Sequence, residues 1–297
     1  MTIADLLVLG LGYSARPLAG EVAHEGMKVV GTTRDEDKAD ELASEGITPL
    51  IWGGEEALPT ETVGPQTAII VSTPPDDNGC PSLRSMRQDA APRLVLYLSS
   101  SGVYGDHGGA WIDETETPRP GSRRGVARLR AEKGWQEFCA KNGTRLTVCR
   151  LAGIYGPGRS AVDSLSGDTP GARAGLSRRV VKPGHVFNRI HRDDIARALK
   201  IFLQIDELPP IVNFSDDHPS PSHEPVAFAA ELLGIAPPPL QRFEDIEGEL
   251  SPMARSFYAE NKRLRNDRLK AVTGPLLYPS YRDGLRAIAE GKQGQPR

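Results

Sequence analysis

Ile3-Ala4-Asp5-Leu6-Leu7-Val8-Leu9-Gly10-Leu11-Gly12-Tyr13-Ser14-Ala15-Arg16-Pro17-Leu18-Ala19 decides how the chain folds. Residues 3–9 form an apolar run with the length of a buried parallel strand. The run stops at a glycine-rich turn. Behind it Ala15, Leu18, Ala19, Val22 and Ala23 recur at helical spacing and give one apolar face. Gly26 ends that helix, and residues 27–32 read as the next strand. Strand, G-x-G-x-x-A turn and helix together make the fingerprint of a dinucleotide-binding unit. Gly10 permits the tight turn, and Gly12 has no side chain to obstruct a pyrophosphate. Ala15 is small enough for helix and strand to pack closely. With Tyr13 and Ser14 the turn leads into a helix N-terminus, whose unpaired N–H groups and positive dipole end suit phosphates.

The remaining composition narrows the choice of class. A chain of 297 residues holds one large α/β domain, or a dinucleotide domain with a smaller partner. A formal net charge of −3 argues against a nucleic-acid binder that relies on a basic surface. The apolar stretches are strand-sized and no basic leader precedes the first, so neither a membrane span nor a signal peptide is expected. Cys80, Cys139 and Cys149 are odd in number and lack metal-like spacing; Cys139, in a helix pattern, and Cys149, in a strand pattern, read as buried thiols, and a reducing cytoplasm fits.

Along the chain, the second strand runs into Thr32-Thr33-Arg34-Asp35, where folds of this kind meet the adenosine ribose. An arginine there favours a 2′-phosphate and an acid favours a free 2′-hydroxyl. Arg34 therefore points to NADP, with Thr33 beside it, while Asp35 keeps NAD open. A third strand follows at residues 48–52, and a fourth at 68–72 ends in Ser72-Thr73-Pro74-Pro75, which places Ser72 and Thr73 near the cofactor. Residues 76–91 are a poor helix and predict a polar loop with a short crossover helix. The fifth strand, residues 93–98, leads into Ser99-Ser100-Ser101-Gly102-Val103-Tyr104-Gly105.

These residues resemble the S-S-x-x-V-Y-G element of the extended short-chain dehydrogenase/reductases, the NAD-dependent epimerase/dehydratase group. Three further segments follow in the same order. Arg150-Leu151-Ala152-Gly153-Ile154-Tyr155-Gly156-Pro157-Gly158-Arg159 is similar to R-x-x-x-I-Y-G-P-G. Residues 188–196 (N-R-I-H-R-D-D-I-A) resemble I-H-V-x-D-x-A, and Val212-Asn213-Phe214-Ser215 resembles V-Y-N-V. The resemblance implies an α/β fold, a Rossmann-type doubly wound parallel sheet with a small C-terminal substrate-side lobe. On that basis residues 1–155 form the dinucleotide core, 156–290 the lobe with returning core elements, and 291–297 a disordered tail.

One motif departs. Where the family carries Y-x-x-x-K on the helix after the fifth strand, this chain has Arg124 and Arg128, although Gly125 and Glu132 align. Tyrosine exchanges the proton in this chemistry, with a nearby ammonium lowering its pKa. Arginine does not release its proton near neutral pH, so the chain resembles an atypical branch of the family. The literal Tyr258-x-x-x-Lys262 lies far downstream and reads as coincidence. By position in the family pattern Ser100 is the catalytic serine, and Tyr104 or His107 could supply the displaced proton. Arg128 could hold a ribose hydroxyl or a phosphate, Leu151 lies against the cofactor, and His191 and Arg263 are substrate-side candidates. The Gly/Ser/Arg-rich residues 158–179 suit either a mobile lid or a solvated linker. His218 and His223, in a Pro/Ser loop with no helix to align them, do not suggest a metal.

Three functions fit these observations. The first is an oxidoreductase or epimerase-like enzyme acting on a hydroxyl or carbonyl of a small molecule such as a nucleotide sugar. The second is a cofactor-ratio sensor without turnover, and the third a scaffold remnant, against which the phosphate-ready glycines argue. A small-molecule partner is expected, nucleic acid and membrane are not, and a homodimer is compatible.

Overall fold

The computed structural model describes residues 3–54, 56–167 and 177–293. Its centre is a seven-stranded, wholly parallel sheet: β1 (Asp5–Leu9), β2 (Lys28–Thr33), β3 (Thr48–Ile51), β4 (Thr67–Val71), β5 (Leu94–Ser100), β6 (Arg145–Leu151) and β7 (Ile211–Phe214). The spatial order is β7-β6-β5-β4-β1-β2-β3. The Rossmann-type doubly wound arrangement read from the sequence is therefore the fold of the chain. Strand limits differ from the expected ones by one or two residues.

Strand alternation sorts the side chains into two layers. Leu6 and Val8 of β1, Ala68 and Ile70 of β4, and Leu94 and Leu96 of β5 face one core. It is closed by α1 (Arg16–His24) and α6 (Arg192–Gln204), through Leu18, Val22, Leu199 and Phe202. Leu7 and Leu9, Ile69 and Val71, and Val95 and Tyr97 face the opposite core, closed by Trp135 and Phe138 of α4 (Arg123–Lys141). Strands buried on both faces explain why their sequences are continuously apolar rather than alternating. A third cluster, around Tyr155, Phe228, Tyr281 and Leu285, holds the C-terminal lobe together.

All three cysteines are buried free thiols. Burial pushes the Cys139 thiol up to about 12, so it is inert as a nucleophile. The short crossover helix expected in residues 76–91 is α3 (Pro81–Arg84). The last helix, Tyr281–Gln293, runs three residues into the expected tail, and residues 294–297 lie outside the described residues. Of residues 158–179, read as a lid or a linker, 161–166 form α5 (Ala161–Ser166), while 168–176 lie outside the described residues. No helix among the described residues is long and apolar enough to cross a membrane.

The strand order reverses between β1 and β4, which stay paired to Leu9 and Val71, while the helices that follow them, α1 and α3, pack on opposite faces of the sheet. A crevice opens there, as in other open sheets of this kind.

Candidate functional site

At one end of the crevice lies the glycine turn. Gly10 has φ +79°, and a Cβ there would lie 2.9 Å from Thr73 Cγ2 and 3.0 Å from Thr73 N, so only glycine fits. Its N–H donates to Thr32 Oγ1 at 2.7 Å, which ties the turn to β2. Gly12 differs in kind. A Cβ there would meet only Gly10 O, at 3.8 Å, so its outer side is open space next to the residues that border the hollow. Ala15 is fully buried at the start of α1, and no side chain caps that helix nor does any acid occupy its first turn. Ala15 N and Arg16 N donate to Gly12 O, at 3.2 and 3.0 Å, and Pro17 has no N–H, so what this end of the helix offers a phosphate is chiefly its positive dipole, with no side chain competing for it. Tyr13 leans across the turn and donates to Pro157 O at 3.2 Å, with Arg192 and Arg159 against its ring.

Beside the turn is a hollow of about 510 Å³, bordered by Thr33, Arg34, Asp35, Trp52, Ser72 and Thr73. Asp35 does not face it as a free carboxylate. Its Oδ1 accepts from Asp37 N and Lys38 N, at 3.1 and 3.4 Å, and so caps α2 (Glu36–Ser44). An uncapped helix end, an open Gly12 and a hollow of this size fit the phosphates and adenosine end of a dinucleotide.

A second hollow of about 380 Å³ adjoins the first, with Pro74 bordering both. Its wall includes Ser100, Arg124, Arg128, Phe257 and Glu260. Ser100 ends β5, and its Oγ accepts from Gly102 N at 3.2 Å. Arg128, one turn along α4 from Arg124, donates to Leu98 O at 2.9 Å and Tyr97 Oη at 3.2 Å. Arg124 donates to Ser256 Oγ at 3.1 Å and lies against the Phe257 ring. The structure therefore brings Ser100, Arg124 and Arg128 together at one end of the crevice, with Gly10, Thr33, Arg34, Ser72 and Thr73 at the other.

Other sequence candidates are engaged elsewhere. Tyr104 is fully buried, donates to Asn213 Oδ1 at 2.8 Å and carries the Arg150 guanidinium against its ring. Burial raises its pKa further, so it is in no position to exchange a proton with a ligand. His107 Nε2 donates to the Tyr104 carbonyl at 3.1 Å, in a loop pinned to Asn261. Arg263 donates to the Gly109 carbonyl. Leu151 is buried at the end of β6. Tyr258 bonds Ser222 Oγ at 3.1 Å, whereas Lys262 bonds Gly105 O and Glu260, so the downstream Tyr-Lys pattern forms no couple.

His191 caps α6: its Nδ1 accepts from Asp193 N at 3.2 Å, and Nε2 is buried without a partner. Burial lowers its pKa to about 4. A histidine neutral in the fold and titrating normally when unfolded stabilises fully above about 6.5, and that contribution is lost as pH falls through about 4. His191→Asn keeps a capping side chain and removes the titration. Denaturation of both proteins at pH 7 and pH 4 should show the variant losing about 2–3 kcal/mol less than the parent. Equal losses would mean that His191 is protonated at its ordinary pH in the fold.

Behind the second hollow lies a buried polar knot. Glu132 of α4 receives Arg150 Nε and Nη2, at 3.2 and 2.8 Å, and the hydroxyl of Ser99. Burial alone would lower the Arg150 pKa, but the two-pronged contact with Glu132 holds it above its usual value. The knot fixes α4 against β5 and β6, and so sets where Arg124, Arg128 and Ser100 stand.

Sequence reasoning missed Trp52, Gly53 and Gly54 on the first hollow and Phe257 and Glu260 on the second. The first group is announced only by a strand end followed by two glycines. The second arrives from more than 130 residues downstream of α4's first turn, with no motif to mark it.

Comparison with known proteins agrees with this geometry. The model of the NAD dependent epimerase/dehydratase family matches residues 82–213. A functionally unknown conserved protein from Silicibacter pomeroyi DSS is 40% identical, with a TM-score of 0.83 over 98% of this chain and 99% of that one. Protein YeeZ of Escherichia coli is 26% identical over 78% of this chain and 84% of its own length. MoeE5, solved with UDP-glucose and NAD, is 21% identical with a TM-score of 0.74, over 97% of this chain and 98% of its own.

The NADP expectation drawn from Arg34 is overturned. The compared structures whose complexes name a dinucleotide contain NAD. The local charges give a physical reason. Arg34 is exposed, and the three acids that follow it, Asp35, Glu36 and Asp37, outnumber Arg34 and Lys38 at that corner, which disfavours a 2′-phosphate there.

Proposed function

Since the chain belongs to the NAD-dependent epimerase/dehydratase family, we propose that it binds NAD and acts on a hydroxyl or carbonyl of a small molecule of the nucleotide-sugar type. The observation that supports this most is the pair of adjoining hollows. One is bordered by the glycine turn, and the other holds Ser100 with two guanidinium groups beside it. Bound nicotinamide would supply a hydride acceptor or donor. The chain's own part is to hold the phosphates on the Gly10–Ala15 turn, to hydrogen-bond the substrate oxygen through Ser100, and to place positive charge beside it. Arg124 and Arg128 cannot take the proton of that oxygen. The buried thiols suit a reducing cytoplasm.

The engagement of Tyr104 and His107 away from the crevice favours a second reading, an NAD-binding sensor without turnover. One experiment separates the two. Native protein should bind NAD in calorimetry and turn over slowly on a hydroxyl and carbonyl panel that includes nucleotide sugars. Arg124→Tyr combined with Arg128→Lys should raise the rate by ~10²–10⁴, the scale of general acid–base help. Ser100→Ala should cancel the gain. Tight NAD binding with no turnover in either protein would establish the sensor instead.

A further inference from the structure

Counting charges around the second hollow leaves a surplus. Each carboxylate on its wall already has a cation: Asp76 pairs with Arg84 at 2.6 Å, Asp77 with Arg123, and Glu260 with Lys262 at 2.9 Å. Behind the wall, Glu132 is taken by Arg150. Arg124 and Arg128 have no carboxylate partner among the described residues, and their hydrogen bonds go only to a serine, a tyrosine and a backbone carbonyl. They also stand in the first two turns of a 19-residue helix, with no acid in its first turn. The helix dipole is positive there, so cations are placed where the backbone itself disfavours them. Two unneutralised guanidinium groups, half-buried for Arg128 and at the mouth for Arg124, border one hollow with the apolar Phe257 and Ala127.

We propose that this hollow is an oxyanion site: the substrate carries a carboxylate or phosphate group, which docks between Arg124 and Arg128 beside Ser100. Guanidinium forks match both anions, each taking two parallel N–H···O bonds. The anion completes a charge balance that the chain leaves open. This rests on the reading of the crevice given above and names a feature of its substrate.

The test is calorimetric titration of the full chain, saturated with NAD so that the glycine turn is filled, with inorganic phosphate and separately with malonate at low ionic strength. At least one should bind, and the tighter of the two identifies the kind of anion. Arg124→Gln and Arg128→Gln should each weaken it by about 10–100-fold, the scale of a charged hydrogen bond. Lys141→Gln, which removes a charge of the same sign from the last turn of the same helix, should change it by no more than about twofold. If neither anion binds, or if Lys141→Gln weakens binding as much as Arg124→Gln does, the oxyanion site is wrong. Should NAD itself fail to bind, the titrations run on the cofactor-free chain with the same three variants, and anion binding lost at Arg124 and Arg128 alone would uphold this site while the cofactor reading fell.

Discussion

Gly12→Val should abolish NAD binding while leaving the melting temperature unchanged. The outer side of Gly12 is exposed and unobstructed: a Cβ meets nothing closer than Gly10 O at 3.8 Å, and the backbone there is not in the left-handed region. A valine is therefore accommodated by the folded chain, but it fills the space in which a pyrophosphate would approach the backbone. Losing several N–H-to-phosphate contacts together should weaken affinity by at least ~100-fold. Gly10→Val is the contrasting variant. There the new Cβ would press on Thr73 backbone at φ +79°, and strain of about 1–3 kcal/mol should lower the melting temperature as well. Calorimetry and thermal unfolding of both variants check the pair. Retained NAD affinity in Gly12→Val would reduce the opening motif to an ordinary strand-to-helix turn.

Glu132→Ala carries the largest expected stability effect, about 3–5 kcal/mol. Arg150 and Glu132 have side chains only 3% and 1% exposed, so the variant would strand a guanidinium in the interior with the Tyr104 ring as its main company. The loss measures the stranded charge rather than the worth of the pair. Replacing both partners, Glu132→Leu with Arg150→Met, should accordingly recover most of it. Denaturant titration of the three proteins decides the matter. A double variant as unstable as the single one would show that the pair itself, and not the orphaned charge, holds α4 in place.

Much of the fold was legible because burial leaves a periodic signature. The continuous apolar runs of β1, β4 and β5, and the spacing of Leu18, Ala19 and Val22, dictate parallel strands and a packed helix wherever they occur. The glycine turn was legible for a related reason, since backbone approach admits few residue types. Side-chain direction at the strand ends was not. Ser100 and Tyr104 belong to one short motif, yet a 3₁₀ turn over Ser101–Tyr104 separates them. The serine borders the hollow and the tyrosine is driven into the core beneath Arg150. Arg34 shows another limit: the residue type favoured NADP, but the acids following it alter the potential at that corner. Phe257 and Glu260 reach the site only through tertiary packing, which no local pattern encodes.

The two hollows meet at Pro74, and Pro75 follows it. Successive pyrrolidine rings fix φ at both positions and delete two backbone donors, so this ridge has almost no alternative shape to adopt. Ordering a backbone residue ordinarily costs about 1–2 kcal/mol. Here the rings have removed the φ part of that entropy even from the unfolded chain, so little is left to be lost when a long molecule settles across the divide. Association should accordingly be rapid and nearly rigid at the ridge, so any slow step in loading the crevice must originate at its rims.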